Sequence, residues 1–166
     1  MRSDARRNYE RILAAAVAEV AATGADASLE KIARDAGVGS ATLHRHFANR
    51  QALMEAVFHD RVETLCAQAG DLTLTDWLRA VAEFGATTRG LAASLLAAGA
   101  TADSGCEAML TDAGGALLRQ AQQSGEVRAG VAITDLLTLV NAISLATQDG
   151  PEAIRLLDLA LKGVAP

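Results

Sequence analysis

The stretch SLEKIARDAGVGSATLHRHFANRQAL, residues 28–53, contains two short amphipathic segments separated by a glycine turn. Four apolar residues of the first segment follow the i, i+3, i+4 and i+7 spacing of one helix face: Leu29, Ile32, Ala33 and Ala36. Gly37 can end this helix, and Leu43 and Phe47 point toward the same core from a second helix of about two turns. Two short helices joined in this way predict a helix-turn-helix.

Further helices are predicted on both sides of this motif. The apolar spacing indicates a first helix over residues 9–23, which stops at Gly24, and a fourth helix that runs from Asn49 to Gly70. Five more helices are predicted. The first starts at Thr75 or Asp76, and the other four cover residues 91–98, 107–123, 136–147 and 151–161. The candidate N-cap residues are Ser28, Asn49 and Thr134. We therefore predict an all-α fold of about nine helices, with a three-helix head at the N-terminus.

The composition agrees with a helical protein. Hydrophobic residues make up 51% of the 166 residues but aromatic residues only 3%, so alanine and leucine must supply most of the packing. The longest uncharged runs, residues 90–102 and 136–148, are well short of the ~20 residues that a membrane-spanning helix needs. The N-terminus also lacks the apolar core of a signal peptide. We expect a cytoplasmic protein that does not associate with a membrane.

Charge is distributed unevenly along the chain. The whole sequence has a formal net charge of −5, which argues against a protein that binds nucleic acid over its entire surface. Residues 1–50 nevertheless carry a net charge of +2, whereas residues 51–166 carry −7. An N-terminal third that attracts anions is therefore joined to an acidic remainder.

The exposed face of the second motif helix indicates what the motif contacts. Its residues are small near the N-terminus and polar or cationic further on: Ser40, Ala41, Thr42, His44, Arg45 and His46. Small residues let the backbone approach base edges, and cations suit phosphates, so we predict that this face binds double-stranded DNA. Arg50 adds a charge beside the backbone amides that begin the next helix. Lys31 is a further candidate contact, as are Arg6 and Arg7 in a basic N-terminal arm, although these two arginines could instead form a solvated face.

These residues resemble a known family. The run SLEKIARDAGVGSATLHRHFANRQAL is similar to the DNA-binding signature of the tetracycline-repressor (TetR) family of bacterial transcriptional regulators, and RILAAAVAEVAATG, residues 11–24, resembles that family's first helix. The resemblance implies a ligand-responsive regulator, a repressor, that binds a palindromic operator as a homodimer. It also implies that a small, mostly apolar effector releases the DNA.

The second half of the chain carries a related resemblance. The stretch WLRAVAEFGATTRGLAASLL, residues 77–96, resembles the C-terminal domain of actinobacterial members. This implies a helix-turn-helix head in residues 1–48 and an effector-binding and dimerisation domain in residues 49–166, with residues 49–69 as a connecting helix. The candidate effector-binding residues are Trp77, Phe84, Thr88, Leu95, Met109, Leu117, Asn141 and Ser144, each of which could also be ordinary core. The candidate dimer-interface residues are Leu136, Leu139, Val140, Ile143, Ile154, Leu157 and Leu161.

Other kinds of site and function find less support. Cys66 and Cys106 are isolated, which indicates two reduced thiols and no zinc site. His44 and His46 lie two residues apart on a helix and would point to different sides, so we expect no metal and no cofactor. An enzyme is disfavoured because the sequence has no P-loop, GxSxG or HExxH motif. The alternative is a helical interaction module whose basic helix docks onto an acidic protein, and such a module would show no salt-steep DNA binding.

Overall fold

The computed structural model describes residues 2–97 and 105–163 of the chain, with side chains for residues 4–24, 26–88 and 105–163. Eight α-helices and two short 3-10 segments account for the regular structure of this part of the chain, which confirms the prediction of an all-α fold. The helices are α1 (Arg2–Thr23), α2 (Leu29–Asp35), α3 (Ser40–His46), α4 (Arg50–Gln68), α5 (Leu74–Ala97), α6 (Cys106–Gln123), α7 (Ile133–Ala146) and α8 (Gly150–Leu161). The 3-10 segments, Gly24–Asp26 and Ala69–Asp71, follow α1 and α4.

The predicted caps of the motif are confirmed. The Oγ of Ser28 accepts a hydrogen bond from the Lys31 N–H at 3.2 Å and begins α2. The Oδ1 of Asn49 accepts from the Ala52 N–H at 2.8 Å and begins α4. Each oxygen satisfies a backbone donor that has no partner inside its helix.

Two later helices begin earlier than predicted. α5 starts at Leu74 and is capped by Thr73, whose Oγ1 accepts from the Asp76 N–H at 3.2 Å, so the prediction that this helix starts at Thr75 or Asp76 was wrong. α7 begins before Thr134, and the Asp135 carboxylate accepts from the N–H of the residue preceding the helix at 3.1 Å. Where several Ser, Thr or Asp residues are adjacent, local preference does not separate them, and the packing of the helix selects the start.

Two predicted helix boundaries are absent. The short helix predicted over residues 91–98 is the end of α5, which is continuous from Leu74 to Ala97. Gly85 and Gly90 lie in its interior, where each costs only about 1 kcal/mol relative to alanine, and no proline interrupts it. α1 begins at Arg2 rather than near Tyr9, so the predicted N-terminal arm is helical.

Contacts divide the chain into two compact units, with boundaries at Asp60/Arg61 in α4 and at Arg89/Gly90 in α5. The first unit buries one apolar core shared by α1 to α4. Leu43 and Phe47 are 2% and 4% exposed, as their spacing in α3 predicts. Other members of this core are Ile12, Ala16, Ile32, Leu53 and Val57.

The second unit is built around the single tryptophan. Trp77 of α5 is fully buried, and its Nε1 donates to the carbonyl of Leu65 in α4 at 3.0 Å. A Cβ at position 114 would lie 2.6 Å from the Trp77 ring, so Gly114 allows α6 to approach the indole closely. Other buried side chains of this unit are Val62, Leu78, Leu117, Leu136, Val140 and Leu157.

No helix in the described part of the chain combines the length and apolar character needed to cross a membrane. The same residues include no group of three His, Cys, Asp or Glu side chains that could hold a metal ion. Cys66 and Cys106 form no disulfide bond with any described residue, and burial raises the pKa of Cys66.

Candidate nucleic-acid interface

The turn between α2 and α3 sets the direction of α3. Gly37 has φ of +64°, a conformation that glycine adopts without a steric penalty. The Gly37 N–H donates to the Arg34 carbonyl, and the Val38 N–H donates to the Ala33 carbonyl, both at 3.0 Å. These two bonds form a Schellman motif, which ends α2 and directs the chain into α3.

Helix α1 contacts this motif at both ends of α3. Arg11 approaches the turn, where its Nη2 lies 3.5 Å from the Gly37 carbonyl oxygen. Tyr9 stacks on Phe47, with ring centroids 5.1 Å apart, and its ring meets His46 edge-on at 6.3 Å. Sequence periodicity did not identify either contact, because α1 is far from these residues along the chain.

The predicted recognition face is largely assembled on α3. Ser40, Ala41, His44 and Arg45 are exposed, and Thr42 is half-buried. His46 is also half-buried and lies against Tyr9, so it is partly withdrawn from this face. Arg50 is exposed at the first position of α4, beside the end of α3 in the chain.

The other three predicted DNA contacts are engaged within the chain. Lys31 binds the carboxylate of Glu19 and lies 3.3 Å from that of Asp35. Arg6 pairs with Glu10 at 2.8 Å, and Arg7 pairs with Asp4. Arg45, in contrast, has no ion pair with any residue in the described part of the chain. Among these cations, Arg45 therefore has its full charge available to an anion.

Glu19 links α1 to the start of α2. Its side chain is only 4% exposed, and it binds Lys31 while its Oε1 also lies 3.5 Å from the Ser28 N–H. The hydrogen bond from Lys31 lowers the pKa of Glu19 from its ordinary value of 4.5, and burial opposes this change only in part. The same bond raises the pKa of Lys31. The sequence signalled neither partner, since an isolated glutamate on an amphipathic helix usually faces water.

The lowered pKa predicts how the stability of the protein depends on pH. A carboxyl group with a lowered folded-state pKa stabilises the fold above its unfolded-state pKa, and this contribution is lost as pH falls through the folded-state value. We expect Glu19→Gln to lower the melting temperature at pH 7 and to lose less further stability than wild type between about pH 5 and pH 2. Glu30→Gln, at an exposed position of α2, is the matched control. If Glu19→Gln has the wild-type melting temperature at pH 7 and also at about pH 2, the ion pair of Glu19 with Lys31 does not stabilise the fold.

Two models of known protein families match this chain. Residues 12–57 match the model of bacterial regulatory proteins of the tetR family, and residues 69–166 match the C-terminal domain of SbtR-like transcriptional regulators. The chain belongs to the TetR family. This confirms the resemblance of the helix-turn-helix stretch, and TetR-family regulators bind DNA and are not enzymes.

Several solved structures are similar to this TetR-family protein. A TetR transcriptional regulator from Streptomyces coelicolor is 34% identical, over 95% of this chain and 98% of that one, with a TM-score of 0.77. A TetR transcription regulatory protein from Mycobacterium vanbaalenii is 32% identical over 99% of both chains, also with a TM-score of 0.77. A gamma-butyrolactone receptor (ArpA-like protein) shares the fold, with a TM-score of 0.60 and 19% identity over 98% of this chain and 90% of that one. Among curated proteins, none is significantly similar in sequence.

The predicted effector residues of this TetR-family protein are in varied environments. Trp77, Phe84 and Leu117 are buried, Met109 is half-buried, and Asn141 is exposed. Leu95 lies outside the residues whose side chains the structure describes. The structure also places Arg61 near this set, with its guanidinium carbon 5.9 Å from the centre of the Phe84 ring. The sequence did not indicate this cation.

The two predicted hydroxyl anchors already have partners in the chain. Ser144 is 3% exposed, and its Oγ donates to the Ala82 carbonyl at 3.0 Å. Thr88 Oγ1 donates to the Phe84 carbonyl at 2.6 Å. An effector that used either hydroxyl as an acceptor could do so without breaking these bonds, since a hydroxyl oxygen has two lone pairs.

The predicted dimer residues divide into two groups. Leu136, Val140 and Leu157 are at most 2% exposed, so they pack inside their own protomer rather than present a face to a partner. Leu139, Ile143, Ile154 and Leu161 are half-buried. Leu145 and Leu159, which the sequence analysis missed, are 59% and 54% exposed on α7 and α8. An apolar residue on a helix is equally apolar whether it faces the core or a partner, so sequence alone could not separate these stripes.

Proposed function

We propose that this TetR-family protein is a ligand-responsive repressor that binds a palindromic operator as a homodimer and leaves it when a small, mostly apolar effector binds. Residues 1–48 are the DNA-binding head in this proposal, and residues 49–166 bind the effector and dimerise, with residues 49–69 connecting the two. The observation that carries the proposal is the exposed face of α3, where Arg45 has no ion pair within the described part of the chain.

The order of residues along α3 suits a helix that enters the major groove. Ser40 and Ala41 are exposed at its N-terminal end and are small enough for the backbone to approach base edges. His44 and Arg45 follow on the exposed surface, where phosphate oxygens would be met. Because Leu43 and Phe47 hold the opposite side of the helix in the core, this face is presented without a change in packing.

Dimerisation is supported by the exposed apolar side chains of α7 and α8. Leu145 and Leu159 expose more than half of their surface, and these two helices contact each other. A two-fold dimer would bury the same patch on both protomers. Two identical heads would then meet two halves of a palindrome.

The effector part of the proposal depends on the second unit. Its buried aromatic residues, Trp77 and Phe84, lie about two turns apart on α5 and so share one face. Mostly apolar surroundings with a few polar groups are typical of small-molecule sites. Such an effector can weaken DNA binding only to the extent that it binds the two conformations of the protein with different affinity.

The proposal predicts a defined complex with the DNA upstream of the protein's own gene. We expect two protomers per protected site, with half-sites about one helical turn, ~34–36 Å, or a small multiple apart. Footprinting and analytical ultracentrifugation measure these quantities, with a scrambled duplex as the control. A lipophilic compound that raises the melting temperature should then lower operator affinity. Protection of one non-palindromic site by a monomer would contradict the dimer, and a stabilising compound with no effect on DNA affinity would contradict the effector.

A further inference from the structure

Tyr9 is the only tyrosine of the chain, and it lies on α1 next to the recognition helix. Its ring stacks on Phe47 at 5.1 Å with an interplanar angle of 27°, and it meets the His46 ring at 63°. Phe47 is 4% exposed, so one face of Tyr9 covers the core of the head. The ring is therefore fixed beside the C-terminal end of α3.

The other side of Tyr9 remains accessible. The residue is 38% exposed although its ring is packed, and its hydroxyl makes no hydrogen bond to any side chain or backbone group that the structure describes. A phenol is a good donor to an anionic oxygen, and a ring that is already held in place loses little freedom when it binds. Tyr9 thus presents an oriented donor at the surface.

The C-terminal end of α3, against which the Tyr9 ring packs, favours an anion. The last turn of α3 carries His44, Arg45 and His46, and Arg50 begins α4 only three residues after Phe47. The neighbouring carboxylate on α1, Glu10, is paired with Arg6 at 2.8 Å. Phosphate oxygens of a DNA strand that runs along α3 would meet a surface of this character.

We infer that the Tyr9 hydroxyl donates a hydrogen bond to a backbone phosphate of the DNA, and that the ring positions the C-terminal end of α3 through Phe47. This inference rests on the proposed DNA-binding function and extends the contact surface from α3 onto α1. The hydroxyl and the ring have separable roles, because Tyr9→Phe removes only the oxygen whereas Tyr9→Leu removes the aromatic packing.

The two variants have different expected results. Tyr9→Phe should keep the wild-type melting temperature, and the dimer should lose about 100-fold in DNA affinity, since each protomer loses one hydrogen bond to a charged acceptor and each such bond is worth about tenfold. The loss should be equal on operator and unrelated duplexes, because a phosphate contact carries no base information. The salt dependence should keep its slope, because a neutral donor releases no counterion. Tyr9→Leu should show the same loss and, in addition, a lower melting temperature.

Fluorescence anisotropy at several salt concentrations measures these affinities, with Arg45→Ala as a parallel arm. If Arg45→Ala binds weakly and Tyr9→Phe binds as wild type, the phosphate contact is refuted while the DNA-binding function stands. If Arg45→Ala and Tyr9→Phe both bind DNA as wild type does, the proposed DNA-binding surface is refuted. If Tyr9→Phe lowers the melting temperature in proportion to its loss of affinity, the hydroxyl has only a packing role. That result would also refute the phosphate contact. Protein labelled with 3-fluorotyrosine has a single fluorine resonance, which should shift when either duplex is added.

Discussion

Replacing Arg45 and Arg50 together with alanine is expected to reduce operator affinity at least about 100-fold, because each arginine contact to DNA is worth about 1–3 kcal/mol. The slope of log affinity against log salt should fall by about 4, since the dimer loses two cations from each protomer and these no longer release counterions. Arg45 is exposed on α3, and Arg50 is exposed at the start of α4. Helix content and oligomeric state should be unchanged because neither side chain belongs to the core. Anisotropy titrations and circular dichroism measure the two effects.

The matched control for this pair removes the same charge elsewhere. Arg119 of α6 and Arg155 of α8 are exposed and lie in the second compact unit. Arg119→Ala with Arg155→Ala changes the net charge equally but should leave operator affinity within about threefold of wild type. If the Arg45 and Arg50 variant is folded and still binds DNA as wild type does, α3 is not the recognition helix. Weak, salt-insensitive DNA binding by the wild type would instead favour a helix that docks onto an acidic protein.

Trp77→Ala is expected to destabilise the protein by about 3–5 kcal/mol, the usual cost of deleting a buried aromatic side chain. Trp77 is 0% exposed, and its indole contacts the α6 backbone region at Gly114 so closely that no Cβ fits there. The substitution would leave a cavity and would also remove the donor to the Leu65 carbonyl. Urea denaturation followed by circular dichroism measures the loss.

Trp77→Phe separates packing from hydrogen bonding at the same position. It keeps an aromatic ring and loses the indole N–H, so we expect a smaller destabilisation, about 1–3 kcal/mol. A loss below about 1 kcal/mol for Trp77→Ala would show that the ring borders a space that can collapse or fill, as expected for an effector site rather than core. Phe84→Ala serves as the comparison, because Phe84 is 7% exposed and lies on the same face of α5.

The helix-turn-helix could be predicted almost completely from the sequence. Leu43 and Phe47 recur at helical spacing, and Gly37 stands where α2 must end, so the local pattern alone places two short helices against one core. Ser28 and Asn49 cap their helices through hydrogen bonds that span only three residues. Such short-range chemistry is visible in the chain itself, which is why this stretch also carried the resemblance to the family that the comparisons confirm.

Element boundaries outside the motif were less predictable. Thr73 caps α5 although Thr75 and Asp76 are equally good caps by residue type. The end of α5 continues through Gly90, which looks like a break in the sequence. Both outcomes depend on how much of a helix is packed against its neighbours, since that packing outweighs a propensity cost of about 1 kcal/mol.

By itself, the sequence determined that the chain is helical, where the helices of the motif form and which of their faces is apolar, and that α3 offers a polar, cationic surface. Only the tertiary structure decided what covers each face. It buries Leu136, Val140 and Leu157 in their own protomer and leaves Leu145 and Leu159 outside. It also engages Lys31 with Glu19, while Tyr9 is brought to the end of α3. The physical reason is that helical periodicity is a local property, whereas an ion pair or a ring contact joins residues far apart in the chain and exists only once the helices have packed.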